Sequence, residues 1–261
     1  MTDDGLVARL RAAGCVYAEE EAALLREAAP DGTVLEALVG RRCAGEPLEQ
    51  VVGWVDLGGL RLRVAPGCFV PRQRTLLLVR QAVVAARAAG PGAVVVEAYA
   101  GVAPVAAHVA GGVPGAVVHA VERDRRALEA ARTNGGGRVA VHPGDVLDGL
   151  PPSLAGRVDV VAAVPPYVPD GELDLMPREA RDHEAPEALL GGADGLDPFR
   201  SLVAAAERWL APGGVVLAEM ASGQVATALA AVASVGGPGR AATAATEEGT
   251  AVVRVVRAEL G

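Results

Sequence analysis

Residues able to do chemistry cluster where apolar runs end. The stretch Val160-Val-Ala-Ala-Val-Pro-Pro-Tyr-Val-Pro169 joins a strand-like run to a turn stiffened by Pro165 and Pro166. Each proline fixes φ and removes a backbone donor, so the turn's carbonyls are aimed in advance with little ordering entropy left to lose. Tyr167 adds a flat face with a polar tip, whereas Val164 offers only shape. Acidic residues follow three other runs: Glu97 closes Val94-Val-Val-Glu97, Glu122 follows Val121, and Asp145 stands in Pro143-Gly-Asp-Val146. In a doubly wound sheet ligands sit beyond the carboxyl ends of the strands, where a carboxylate in the place of Glu122 accepts both hydroxyls of a ribose. Asp145 is then set to face an adenine amino group.

These positions require a parallel sheet to hold them. From Ala93 onward, apolar runs alternate with helical segments, the pattern of a sheet covered on both faces. Strands are expected at about 93–97, 116–121, 139–142, 158–163 and 215–219, with a buried edge hairpin at about 241–245 and 250–256. Ahead of them, Val51 to Val64 alternates as a hairpin turning at Gly58-Gly59, and Phe69-Val-Pro-Arg-Gln-Arg-Thr75 leads into a helix from about Thr75 to Ala89. That helix start would bring Arg72 and Arg74 toward whatever lies nearby. Three blocks of helical spacing occupy residues 6–45, punctuated by Gly14, Pro30-Asp-Gly32 and Gly45. The expected division is a helical domain at 1–50, a β-hairpin linker at 51–72 and the main α/β domain at 73–261. The segment from Val168 to Gly195 is charged and weakly periodic, as binding loops and lids are.

Composition narrows the function. With 51% apolar residues in 261, the chain can fill a sizeable core. A formal net charge of −8 speaks against a general nucleic-acid or anionic-membrane surface, both of which reward clustered positive charge. Every basic residue is Arg. Cys15, Cys43 and Cys68 lack any Cys-x-x-Cys spacing and the histidines lack ligand spacing, so reduced thiols and no metal are expected. An acidic start, Met-Thr-Asp-Asp, and the absence of an apolar run of about 18 residues lead to a cytoplasmic expectation.

Taken together in this order, the motifs resemble the HemK/PrmC family of protein-(glutamine-N5) methyltransferases, class I enzymes that use S-adenosylmethionine and modify the Gly-Gly-Gln loop of peptide-chain release factors. The likeness runs through Gly45-Glu-Pro-Leu48, the hairpin, Val70-Pro-Arg72, Glu122, Gly144-Asp145, Pro165-Pro-Tyr167, Ala188 to Leu196, Leu210-Ala-Pro-Gly-Gly214, Glu219 and Gln224. It implies a seven-stranded Rossmann-like sheet. It also implies a cofactor site in which Glu97 and Gly101 flank the methionine part, Glu122 holds the ribose, and Asp145 with Val146 frames the adenine; Tyr99, Ala103 and Arg123 belong to the same set. The acceptor pocket would be Val164, Pro165, Pro166 and Tyr167, with the Pro165 carbonyl lining it.

Three positions depart from the family pattern. Val164 stands where the family has the Asn whose side-chain oxygen accepts from the acceptor amide, and loss of such a contact costs about 10²–10³ in rate. Ala103 replaces a loop glycine, an exchange that costs little at negative φ and more at positive φ. Leu76 replaces the Glu that follows Thr75. Three functions therefore remain open: methyl transfer to an amide or amine nitrogen, such as a release-factor glutamine; use of S-adenosylmethionine on a small molecule or on its own amine, which releases methylthioadenosine; and non-catalytic binding of a release factor.

Overall fold

The computed structural model describes residues 2–235 and 241–258, so the outer ends of the first and last expected domains lie outside the described residues. Helices α1 (Asp3–Ala12), α2 (Ala18–Ala28), α3 (Gly32–Cys43) and α4 (Leu48–Val52) open the chain. Asp31 caps α3 by accepting from the backbone N–H of Thr33 and Val34 at 2.8 and 2.9 Å. Leu6, Leu10, Leu25, Leu35 and Val39 form a core belonging to these helices. The short α4 was not expected from the sequence. It crosses the anticipated boundary at residue 50 and ends at Gly53, whose φ is +91°.

Strands β1 (Trp54–Leu57) and β2 (Leu60–Arg63) pair antiparallel as expected, with Leu57 opposite Leu60. Both turn residues, Gly58 and Gly59, have positive φ, as a two-residue turn matched to strand twist requires. After a single 3₁₀ turn over Gln73–Thr75, α5 (Leu76–Ala89) leads into the main sheet.

That sheet has seven strands: β3 (Val94–Ala98), β4 (Val117–Glu122), β5 (Val139–Pro143), β6 (Val158–Ala163), β7 (Leu210–Ala221), β8 (Ala241–Glu247) and β9 (Thr250–Val256). Their spatial order is β5-β4-β3-β6-β7-β9-β8. Strands β3 to β7 run parallel, and β9 is antiparallel to both β7 and β8. Helices α6 (Pro104–Gly112), α7 (Arg125–Gly135), α10 (Asp197–Trp209) and α11 (Val225–Val235) are interleaved with the strands. Every residue of β3 is buried, which is why its sequence is apolar apart from Glu97 and does not alternate with polar residues.

The sheet departs from expectation at its far edge, because only β9 is buried. Strand β8 is mostly exposed, and its Ala-Ala-Thr-Ala-Ala-Thr sequence has no large side chain to bury. The segment after the proline turn also has more structure than its sequence suggests. It folds into a 3₁₀ turn over Asp170–Leu175 and two short helices, α8 (Arg178–His183) and α9 (Pro186–Leu189), closed at its base by a bridge between Val168 and Leu190.

A buried ion pair joins α2, α3 and α8. The Arg42 guanidinium donates to Glu21 at 2.6 and 3.1 Å and lies 2.7 Å from Glu179, with Arg42 and Glu21 side chains only 9% and 10% exposed. Removing one partner strands a buried charge. Glu21→Ala is therefore expected to destabilise the fold by about 3 kcal/mol in urea unfolding; a loss below about 0.5 kcal/mol, the scale of an exposed pair, would contradict the buried-pair assignment.

Candidate active site

The strand order reverses between β3 and β6, and the carboxyl ends of β3, β4, β5 and β6 open on one cavity of about 320 Å³, in the range of small-molecule and cofactor sites. Of the residues expected in the site, Glu97, Tyr99, Gly101, Glu122, Arg123, Asp145, Val146, Val164, Pro165, Pro166 and Tyr167 line it. Ala103 does not. It is fully buried and caps α6.

Glu122 ends β4, and its carboxylate is fixed by two backbone donors, Gly101 N at 2.6 Å on Oε2 and Asp124 N at 2.7 Å on Oε1. A carboxylate has about four lone-pair sites, so two remain for a ligand. Gly101 lies at φ +52°, with no atom within 4 Å of where a Cβ would stand, so the loop presents open backbone. These features fit a ribose and a methionine chain approaching the loop. Glu97 serves a different local purpose: its oxygens accept from Val105 N at 3.2 Å and Ala106 N at 2.7 Å, filling the orphan donors of α6. Burial pushes this carboxyl up to about 8, against the pull of those two N–H groups.

Asp145 is half exposed; its Oδ1 accepts from Val146 N at 3.1 Å, and Arg123 lies 3.8 Å away. Tyr99 and Val146 hold positive φ of +50° and +52°, unusual for residues with a Cβ, and both border the cavity. Ala103 is a further case, at φ +60°, which is the costly form of the glycine replacement.

The proline turn is held from behind. Gln224 Nε2 donates to the Tyr167 carbonyl at 2.9 Å and to Asp194 O at 3.1 Å, and Val168 exchanges backbone bonds with Leu189 and Gly191. A Cβ at Gly195, whose φ is +74°, would stand 2.3 Å from the Tyr167 carbonyl oxygen, so the close approach needs glycine. In front, Arg74 Nη2 donates to the Tyr167 hydroxyl at 2.7 Å. Phe69, Arg72, Arg74, Thr75 and Met176 also line the cavity and were not among the expected site residues. The only sequence signal for the arginines was their place before α5. Arg72 pairs with Glu184 at 2.6 Å, and burial raises Glu184 above the usual carboxylate range.

Comparison with known proteins accounts for this arrangement. No protein-family model matches the chain. The release factor glutamine methyltransferase of Streptomyces coelicolor is 42% identical over 189 residues, covering 72% of this chain and 67% of that protein. That of Bradyrhizobium diazoefficiens is 31% identical, covering 84% of this chain and 81% of its own. The chain belongs to the HemK/PrmC methyltransferase family. A methyltransferase of Streptomyces pristinaespiralis named for 4-amino-L-phenylalanine and 4-methylamino-L-phenylalanine is 39% identical, covering 72% of this chain and 66% of that one. Among solved structures, a methyltransferase from Pyrococcus furiosus superposes with a TM-score of 0.57 at 17% identity, covering 84% of this chain and 97% of that one, and so shares the fold. The protein is a class I methyltransferase that uses S-adenosylmethionine. Among the described residues no helix is long and apolar enough to cross a membrane.

The backbone and burial around this cavity bear on stability at two residues. Ala103→Gly should stabilise the fold by about 0.5–1 kcal/mol, the left-handed penalty less the added chain entropy of glycine; unchanged or lower stability in denaturant would contradict the strain at this residue. Glu97 titrates near 8 in the folded chain against an ordinary 4.5, so the folded form keeps a proton that the unfolded form has lost. The contribution of Glu97 to stability is then fully present below about 4.5 and is lost as pH rises to about 8. Melting temperatures across that range should fall more steeply in the wild type than in Glu97→Gln, and equal slopes would show that Glu97 is ionised throughout.

Proposed function

We propose that the cavity holds S-adenosylmethionine at its carboxylate-bearing end and an acceptor nitrogen against the Pro165 carbonyl, so that the chain methylates nitrogen. The observation that carries this reading is the continuity of the lining. Glu122 and Asp145, at the ends of β4 and β5, share one cavity with Pro165 and Tyr167 after β6. When bound, the cofactor supplies an electrophilic methyl group on a sulfonium. Glu122 takes the ribose hydroxyls, and Asp145 with Val146 frames the adenine. The Pro165 carbonyl accepts from the acceptor N–H and turns the nitrogen lone pair toward the methyl, while Tyr167 limits the acceptor's tilt. Orientation of this kind supplies much of the rate in a direct displacement. The domain boundaries at residues 50 and 72 belong to the same reading, with the N-terminal helices placed to meet a protein acceptor.

Two acceptors have support. The glutamine amide of a peptide-chain release factor is favoured by the names of the Streptomyces coelicolor and Bradyrhizobium diazoefficiens relatives. The amine of a small molecule is favoured by Val164, which offers an amide no hydrogen-bonding partner, and by the name of the Streptomyces pristinaespiralis relative. An aromatic amine is uncharged at neutral pH and its lone pair is less delocalised than an amide's, so it needs less help from the wall than an amide does. Nothing in the geometry favours an intramolecular use of the donor or a non-catalytic role.

The test incubates the protein and S-adenosylmethionine with a Gly-Gly-Gln-containing release factor or with 4-amino-L-phenylalanine, and follows donor and acceptor by mass spectrometry. S-adenosylhomocysteine should accumulate in step with one methylated acceptor. If the factor is that acceptor, Val164→Asn should raise its methylation by about 10- to 100-fold. Intact donor with both acceptors, or release of methylthioadenosine, would overturn the reading.

A further inference from the structure

Charge is unevenly distributed over the cavity wall. Its carboxylates are Glu97 and Glu122 near the ends of β3 and β4, Asp124 and Asp145 in the loops after β4 and β5, and Glu187, whose carbonyl accepts from Arg123. Around the proline turn, over residues 69–75 and 164–168, the charged side chains lining the cavity are Arg72 and Arg74. Arg72 is neutralised by Glu184, whose side chain is fully buried 2.6 Å away.

Arg74 is not matched in this way. Its Nη2 is bonded to the neutral Tyr167 hydroxyl, and its Nε stands 3.5 Å from Glu219 Oε1, longer than a charge-assisted bond. The Glu219 side chain is 1% exposed and neither of its oxygens has a hydrogen-bond partner. Burial pushes that carboxyl upward, against the pull of Thr75 and Arg74. The Arg74 side chain, by contrast, is 45% exposed. A guanidinium with unused donors thus stands beside Tyr167, on the acceptor side of the turn, next to an apolar wall that includes Val164 and Phe69. The planar fork of an arginine matches a carboxylate. A glutamine side chain brings no such group.

We propose that Arg74 binds the carboxylate of a small amino-acid acceptor whose amine reaches the Pro165 carbonyl, which makes Arg74 a specificity-determining residue. The inference rests on the N-methylation reading and names its substrate class. The donor's methionine part also carries a carboxylate. Arg74, however, touches Tyr167 and Glu219, neither of which belongs to the loops that frame the donor.

The test is calorimetric titration of the full chain, saturated with S-adenosylhomocysteine, using 4-amino-L-phenylalanine and its decarboxylated analogue 4-(2-aminoethyl)aniline. The wild type should bind the amino acid about 10- to 100-fold more tightly than the analogue, the range of a charge-assisted contact. Arg74→Gln should erase that ratio, Arg74→Lys should keep part of it, and the affinity for S-adenosylmethionine should change by less than about 2-fold in either. Thermal melts check that the variants fold. Equal binding of the two compounds, or binding of neither, would overturn the assignment, as would a ratio that survives Arg74→Gln. Weakening of donor binding in its place would give Arg74 to the methionine carboxylate and equally overturn it. Methyl transfer measured on the same samples separates the two levels. Carboxylate-dependent binding without transfer leaves the Arg74 site standing and counts against N-methylation. Transfer to a release factor without amino-acid binding does the reverse.

Discussion

The site depends on one carboxylate. Glu122 sits at the end of β4 and accepts backbone N–H groups from the loop after β3 and from its own loop, while its backbone carbonyl accepts from Gly144 N after β5 at 3.1 Å. Three strand ends are therefore tied at one residue that is 9% exposed. Charge-assisted bonds of this kind are short and directional, so the loops are set before any ligand arrives. The residues that border this end of the cavity, Tyr99, Gly101, Asp145 and Val146, all hang from this tie or lie next to it.

The opposite wall is built on different physics. Its rigidity comes from two prolines, from Gln224 behind Tyr167, and from a glycine segment close enough to the turn that a side chain at Gly195 would collide with it. Val164 gives that wall an apolar side chain. The N-terminal helices reach the same region through Arg42 and Glu179, in the segment that carries Glu184 and Glu187.

What was legible in the sequence follows from how local each signal is. Buried parallel strands read as valine-rich apolar runs, and the acids at or just beyond their ends mark the ligand edge, so the sheet and most of the lining from Glu97 to Tyr167 were accessible without coordinates. The hairpin at Gly58-Gly59 was equally clear, because both turn residues need positive φ. The sign of φ at Ala103 was not, since sequence says that a glycine is missing but not what the backbone does there. Nor could spacing show that Arg74 reaches Tyr167 about ninety residues later, or that Arg72 pairs closely with Glu184 while Arg74 has no carboxylate so near, because those are facts of tertiary packing. The exposure of β8 was misjudged because the burial expected of the hairpin rests on the valines of β9, whereas β8 has no large side chain to bury.

The most direct test of the account is the affinity of Glu122→Gln and Glu122→Ala for S-adenosylmethionine, measured by titration calorimetry beside the wild type. If Glu122 holds the ribose and ties the loops, Glu122→Gln should weaken binding by about 100-fold, and Glu122→Ala should abolish it in a chain that still folds. Wild-type affinity in both variants would contradict the placement of the cofactor, and with it the division of the cavity into donor and acceptor ends.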